Sequence, residues 1–181
     1  MNNQRIQITN HSDRTVTWTL ERPDGRANVI DQLFLDEMSH ALDDLEGDKL
    51  VTALLIRSGH PKIFLAGADL TTLSKLGPED LENLLHYGQD TFTRLSRLDL
   101  TTVCAINGPC LGGGYELALA CDRRILSANP NAVVGLPETS LGLLPGWGGC
   151  YRLHRLIGLS RALPTLAGGR PVRPKKAVKL G

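Results

Sequence analysis

The amino-acid sequence predicts an α/β fold. Segments that alternate polar and apolar residues, as β-strands do, are interleaved with segments whose apolar residues recur at helical spacing. A further strand-like segment leads through a run of glycines into an apolar helical stretch at residues 106–122. The chain of 181 residues is long enough to bury a substantial core within one domain.

The N-terminal half begins with a predicted β-hairpin, since "RIQITN" and "TVTWTL" flank the turn sequence "HSDR". Residues 31–46 place Phe34, Met38 and Leu42 at helical spacing, and Asp31 is positioned to cap that helix. A buried strand, "KLVTALLIRS", and a loop, "GHPKIFLAGADL", follow. A second long helix is predicted to start near Pro78, because proline is accepted at the first helical position.

The C-terminal half begins with the strand "TTVCAIN", which is predicted to run directly into the glycines, and a helix at 114–122. Short strands "RRILSA" and "AVVGL" and the glycine-rich loop "LGLLPGWGG" follow. The tail is helical, and Pro164 is expected to remove one hydrogen bond from a helix that starts near Ser160. Because the chain stops inside a helical pattern, we expect it to be a fragment of a longer protein.

Composition excludes several classes of protein. The formal net charge of +1 gives no electrostatic footprint for nucleic acid or for a membrane surface. The basic segment "RPVRPKK" reads as a solvated helix start, and no apolar run is long enough to span a bilayer. The four cysteines show neither CxxC pairing nor a histidine cluster, which favours reduced thiols over a disulfide framework or a zinc site. These features predict a soluble protein of the cytoplasm.

The stretch "INGPCLGGGYELALACD" carries the strongest functional signal. It does not match the dinucleotide-binding pattern, because Leu117 stands where that pattern needs a glycine, and no G-K-[ST] follows as in a P-loop. Two interpretations remain. The glycines either form a closely packed strand-to-helix turn, or they expose backbone N–H groups at a helix start to a developing negative charge, as in an oxyanion hole.

A second loop and two glutamates extend this hypothesis. "FLAGADL" at residues 64–70 also precedes a short predicted helix, which Asp69 would cap, and it offers a second N–H donor. Glu116 lies in the first turn after the glycines, and Glu138 follows Pro137 at a strand end. Two carboxyl groups beside an oxyanion hole can share one water, but each glutamate taken alone is better explained as a helix-start or loop charge.

The motifs "AGADL", "AINGPCLGGGYELALACD" and "GLPETSLGLLPGWGG" together resemble the enoyl-CoA hydratase/isomerase (crotonase) superfamily in order and spacing. Within it, the sequence is most similar to the N-terminal hydratase domain of multifunctional fatty-acid oxidation alpha subunits. The resemblance implies a crotonase-like spiral of ββα units. It also implies that residues 1–181 form a single core domain whose C-terminal helices are missing.

The resemblance also implies a site and a reaction. The N–H groups of Ala68 and Gly113 would hold a thioester oxygen, while Glu116 and Glu138 would position and activate a water. The reaction would be hydration of trans-2-enoyl-CoA to 3-hydroxyacyl-CoA in fatty-acid β-oxidation. Enoyl-CoA Δ3-Δ2 isomerisation, and an acyl-CoA-binding or assembly module without turnover, are the alternatives.

Further residues are implied to contact the CoA part of the substrate: Ala27, Ala66, Gly67, Asp69 and Leu70. The family pattern requires neither a metal nor a redox cofactor, because the CoA thioester is itself the substrate. The implied partners are acyl-CoA and either further copies of the chain or a larger β-oxidation complex. Trp147 departs from the family, where phenylalanine or a smaller residue is usual. It would shorten the preferred acyl chain if it faced the acyl pocket, and would be a packing residue if it faced the core.

Overall fold

The computed structural model describes residues 4–181, in which strands and helices alternate. The strands are β1 (Ile6–Asn10), β2 (Thr15–Leu20), β3 (Ala53–Ser58), β4 (Thr101–Ile106), β5 (Cys110–Leu111), β6 (Arg123–Leu126) and β7 (Val134–Gly135). The helices are α1 (Gln32–Gly47), α2 (Leu70–Leu73), α3 (Pro78–Leu95), α4 (Gly113–Ala120), α5 (Gly149–Ile157), α6 (Leu159–Gly168) and α7 (Pro174–Leu180). A 3-10 turn covers Glu138–Leu141. This arrangement confirms the predicted α/β class.

The main sheet has five strands in the order β1-β2-β3-β4-β6. The predicted hairpin is confirmed, since β1 and β2 pair antiparallel, whereas the pairs from β2 to β6 are all parallel. Parallel neighbours need a crossover connection, which α1 supplies between β2 and β3 and α3 between β3 and β4. The strands β5 and β7 form a separate parallel pair beside the main sheet.

The strand β2 is buried on both faces, although its sequence alternates. Thr17 and Thr19 would face solvent in a hairpin with one exposed side, but both are buried. The Thr17 hydroxyl shares a hydrogen bond of 2.9 Å with His11 Nε2, and Arg57 Nε donates to the Thr19 hydroxyl at 3.1 Å. Side chains from the hairpin turn and from β3 thus contact its polar positions.

The predicted helix starts are confirmed where a capping signal was present. The Asp31 carboxylate accepts the Phe34 N–H at 2.9 Å and so caps α1, and the Asp69 carboxylate caps α2 in the same way. Pro78 is the first residue of α3. Within residues 4–181, no helix combines the length and the apolar character that a bilayer crossing requires.

Two predicted boundaries in the C-terminal half are wrong by a small margin. The strand β4 does not run directly into the glycines, because the short strand β5 comes between them. The helix α4 begins at Gly113 rather than 114 and ends at Ala120, since Cys121 already has an extended backbone. Pro164 lies inside α6, where its missing N–H leaves the Ser160 carbonyl without its helical donor.

The loop before α2 is held against the start of α4 by backbone hydrogen bonds. The Leu111 N–H donates to the Leu65 carbonyl at 3.1 Å, and the Phe64 N–H donates to the Pro109 carbonyl at 3.1 Å. A Cβ at Gly114 would overlap the Leu65 carbonyl oxygen, so only glycine permits this approach. The glycine run therefore fixes the distance between the two loops that the sequence singled out.

We predict that Gly114→Ala destabilises the fold by about 1–3 kcal/mol, the usual range for overpacking a rigid core, because the added methyl group meets backbone rather than a flexible side chain. Urea unfolding followed by circular dichroism measures the change. Gly47→Ala is the matched control, since nothing lies within 4 Å of a Cβ there and alanine favours helix. Equal stabilities of Gly114→Ala and the unmodified chain would contradict the close approach.

Candidate active site

The start of α4 presents an unpartnered backbone donor. Gly112 has φ 53° and ψ −130°, a backbone conformation that favours glycine, and the helix begins at the next residue. The first N–H groups of a helix have no partner within the helix. Among residues 4–181, no backbone or side-chain acceptor receives the Gly113 N–H. That N–H is therefore available to a ligand.

Ala68 presents a second donor from the opposite loop. Its neighbours are tied to Ile30: the Ile30 N–H donates to the Gly67 carbonyl at 2.8 Å, and the Asp69 N–H donates to the Ile30 carbonyl at 3.0 Å. The Ala68 N–H itself has no acceptor in the described part of the chain. A Cβ at Gly67, where φ is +93°, would lie 3.6 Å from the Gly113 nitrogen. The two loops thus face each other.

Glu116 is a buried carboxyl group in the first turn of α4. Only 2% of the residue is exposed, and its Oε1 accepts the backbone N–H groups of Trp147 and Gly149, each at 2.8 Å. Burial raises the pKa of Glu116 to about 7; the two N–H donors and Arg152 counteract this rise, while Glu138 adds to it. Glu116 therefore changes protonation state near neutral pH.

Glu138 is the first residue of the 3-10 turn and lies three residues beyond β7, so the predicted strand-end position is approximately right. Its Oε1 would lie 3.1 Å from a Cβ at Gly112, which places the carboxyl group beside the glycine turn. Its Oε2 is buried without a hydrogen-bond partner among the described residues. Burial raises the pKa of Glu138 as well.

These groups converge around Gly112. The Glu138 carboxyl group lies on one side of it, and the Gly67 loop on another, with Gly67 Cα 3.8 Å from a Cβ at Gly112. Two free N–H donors and two carboxyl groups with raised pKa values thus share one small region. Among residues 4–181, no three His, Cys, Asp or Glu side chains are grouped so that they could bind a metal ion.

The residues implied to contact CoA lie along the loop that carries Ala68. The Ala66 N–H donates to the Asn28 carbonyl at 2.8 Å, which brings the 27–28 segment beside the loop. Ala66 and Leu70 are exposed and Ala27 is half-buried. The Asp69 carboxylate accepts the N–H groups of Thr71 and Thr72. Asp69 therefore shapes the loop, and the contacts of this set with CoA stay predictions.

A cavity of about 430 Å³ lies next to this loop, between the start of α1 and the helices α2 and α3. Polar groups line part of it, and its apolar lining consists of Ile30 before α1, Leu73 of α2, Leu76 between α2 and α3, and Leu84 of α3. The Ile30 side chain separates the cavity from the glycine turn, because its Cδ1 would lie 3.1 Å from a Cβ at Gly113.

The donors to Glu116 were not identified from the sequence. Trp147 and Gly149 lie 31 and 33 residues beyond Glu116, and only the folded chain brings their N–H groups to it. The one available signal was the glycine content of "PGWGG": a Cβ at Gly149 would lie 2.9 Å from Glu116 Cγ. The Trp147 indole is buried between α3 and α4, so it faces the core.

Comparison with known proteins shows which family this chain is similar to. The family model described as enoyl-CoA hydratase/isomerase matches residues 12–181. The fatty acid oxidation complex subunit alpha of Aliivibrio fischeri is 42% identical over 172 residues, which is 93% of this chain and 25% of that protein. The subunit of the same name from Shewanella halifaxensis is 40% identical over 97% of this chain. The chain thus spans about a quarter of the length of these curated relatives.

Solved structures agree with this comparison. The enoyl-CoA hydratase from Bacillus anthracis superposes with a TM-score of 0.92 at 32% identity, over 98% of this chain and 68% of that one. An enoyl-CoA hydratase structure from Geobacillus kaustophilus gives a TM-score of 0.93 at 32% identity, over 100% of this chain and 67% of that one. These matches confirm the predicted crotonase-like fold. Because the family model matches nearly the whole length of this chain, the chain belongs to the enoyl-CoA hydratase/isomerase family.

Proposed function

We propose that this chain adds water to a trans-2-enoyl-CoA thioester and so produces a 3-hydroxyacyl-CoA. One observation carries the proposal: two unpartnered N–H groups, on Ala68 and Gly113, occur beside two carboxyl groups whose pKa values are raised, on Glu116 and Glu138. Donors fixed in this manner stabilise developing negative charge, and carboxyl groups with raised pKa values are suited to act as general acids and bases.

The N–H pair would act on the thioester oxygen. Attack of water on C3 of a conjugated enoyl thioester moves electron density through C2 to that oxygen, which gives an enolate-like species. The positive end of the α4 dipole adds to the effect of the Gly113 N–H. Removing one donor of this kind costs about 3 kcal/mol of transition-state stabilisation. The glycine run therefore has a chemical use beyond packing.

The two glutamates would manage the protons. Hydration forms a C3–O bond and a C2–H bond, so one carboxyl group takes a proton from the water and the other returns one to C2. A pair that holds one proton between its members can do both. The two backbone donors on Glu116 Oε1 leave Oε2 of the same carboxyl group to the water. No resident metal or redox cofactor takes part in this scheme.

Acyl-CoA as the substrate is supported by the surroundings of the site. The exposed loop at Ala66 and the 27–28 segment would contact the CoA moiety, and the cavity beyond Ile30 has apolar walls suited to an acyl chain. Relatives of the chain are named as subunits of a fatty acid oxidation complex. We therefore place the activity in fatty-acid β-oxidation, within an oligomer or a larger assembly.

Isomerisation of the double bond is the second candidate, since the family name includes it. It would use the same N–H pair, with a carboxyl group moving a proton along the acyl chain. One carboxyl group suffices for such a shuttle, whereas hydration uses two, so the presence of both Glu116 and Glu138 favours hydration. A binding module without turnover is the third candidate, because the chain spans only a quarter of its curated relatives.

We predict that Glu116→Gln and Glu138→Gln each lower the rate of hydration by about 10²–10⁴-fold, the usual contribution of general acid–base catalysis. The loss of the conjugated enoyl-thioester absorbance of crotonyl-CoA measures the rate. The dissociation constant for crotonyl-CoA should change little, because glutamine retains the shape of the side chain and its oxygen can accept the same N–H groups.

Glu82→Gln is the matched control, since Glu82 is an exposed residue of α3. Full hydration by the Glu116→Gln variant would contradict the role of that carboxyl group. Binding of crotonyl-CoA without hydration by the unmodified chain would contradict the proposed activity and favour the module.

We also predict a pH-dependent contribution of Glu116 to folding. Its pKa is about 7 in the folded chain against 4.5 in the reference state, so the folded state keeps a proton that the unfolded state has lost between these values. The contribution is therefore fully present below about pH 4.5 and is lost as the pH rises towards 7. It amounts to at most about 3 kcal/mol.

Urea unfolding at pH 5 and pH 8 measures this contribution as a difference between two proteins. The unmodified chain should lose more free energy of unfolding between the two pH values than Glu116→Gln, because all other titrating groups are common to both. Equal losses would show that Glu116 has an ordinary pKa in the folded chain.

A further inference from the structure

We propose that Trp147 is the positioning residue of this site, holding Glu116 with its backbone and the oxyanion-hole residue Gly113 with its indole ring. The inference rests on the proposed function, since it assigns a role in the same reaction. It departs from the sequence expectation, in which Trp147 was either a wall of the acyl pocket or a packing residue.

The backbone of Trp147 is fixed on both sides. Its N–H donates to Glu116 Oε1 at 2.8 Å, and its carbonyl accepts a hydrogen bond of 2.6 Å from Arg152 Nη1. The same guanidinium group packs against Gly148, where a Cβ would overlap it. Arg152 therefore holds the loop from which both N–H donors to Glu116 arise, and any shift of Trp147 changes the donor geometry at that carboxyl group.

The indole of Trp147 is wedged between two glycines. A Cβ at Gly88 of α3 would overlap its Nε1 and lie 2.7 Å from its Cδ1. A Cβ at Gly113 would lie 2.5 Å from its Cζ3. One edge of the ring thus rests on the α3 backbone and the other on Gly113, whose nitrogen lies beside the Gly67 loop. Phe92, one turn after Gly88, meets the ring edge-on at a centroid distance of 5.7 Å.

Shape, not hydrogen bonding, holds the ring in place. Trp147 is 4% exposed, and its Nε1 is buried without an acceptor among the described residues. A buried donor without an acceptor costs free energy, so the indole N–H does not stabilise the position of the ring. The ring acts as a spacer that separates α3 from the start of α4 by a fixed distance, while its own backbone holds Glu116.

Gly88→Ala tests this arrangement from outside the site. The added methyl group must displace the indole, and with it the Trp147 N–H or the Gly113 backbone. We expect kcat for crotonyl-CoA hydration to fall about 10- to 100-fold, as small misplacements of catalytic groups do, with KM within about twofold. The pKa of Glu116 should rise, because a displaced N–H no longer favours the carboxylate.

The double variant Gly88→Ala/Trp147→Phe provides the rescue. Phenylalanine lacks the pyrrole edge that meets Gly88, so the double variant should recover part of the kcat lost by Gly88→Ala. Gly47→Ala is the control for a glycine-to-alanine change in a helix with open space around it, and it should leave kcat unchanged. Should Gly88→Ala fail to fold, Trp147→Phe alone gives the test, with a smaller loss of kcat and the same direction of pKa change.

Carboxyl ¹³C NMR of Glu-labelled protein separates this inference from the proposed function. The Glu116 signal is assigned by its loss in Glu116→Gln, and its titration needs no turnover. An inactive unmodified chain would contradict the proposed function alone. An unchanged Glu116 titration in Gly88→Ala, or in Trp147→Phe if the former does not fold, would overturn the positioning role even in an active enzyme.

Discussion

The site depends on one constraint, the close approach of two backbone segments. Leu65 and Leu111 are joined by a backbone hydrogen bond of 3.1 Å, and a Cβ at Gly67 would lie 3.0 Å from the Leu111 carbonyl oxygen. A side chain at Gly67, or at Gly114 opposite Leu65, would force the two segments apart. The Ala68 and Gly113 N–H groups have no acceptor among the described residues, and the close approach of the two segments brings Gly67, which precedes Ala68, beside the Gly113 nitrogen. The presence of two unpaired N–H donors in the site therefore depends on this backbone packing.

The carboxyl groups are matched to that backbone. Burial favours the neutral form of Glu116 and raises its pKa. The N–H groups of Trp147 and Gly149 favour the carboxylate and lower the pKa again, so that it lies at about 7. Both protonation states are then accessible at physiological pH, as proton transfer requires. The same loop that tunes Glu116 also rests on Gly113 through the indole of Trp147. The Glu116 carboxyl group and the Gly113 backbone are thereby parts of one packed unit.

The sequence predicted the features that depend on neighbours along the chain. The cap at Asp31, the helix start at Pro78 and the hairpin are written in local residue patterns, and the structure confirms them. The family motifs pointed to Glu116 and Glu138; Glu138 lies beside the glycine turn and Glu116 in the first turn of α4, and their catalytic roles stay predictions. The donors to Glu116 come from residues more than 30 positions away, and the burial of Thr17 depends on strand neighbours. Such contacts follow from tertiary packing, which no local pattern contains.

The proposed reaction requires that the Ala68 and Gly113 N–H groups bind the thioester oxygen together. Amide ¹H–¹⁵N NMR of the Glu116→Gln variant, titrated with crotonyl-CoA, tests it most directly, because that variant should bind substrate without consuming it. We expect both amide protons to move downfield with the same dissociation constant, as new hydrogen bonds form at both. Saturation of the protein with both amide signals unmoved would contradict the oxyanion hole.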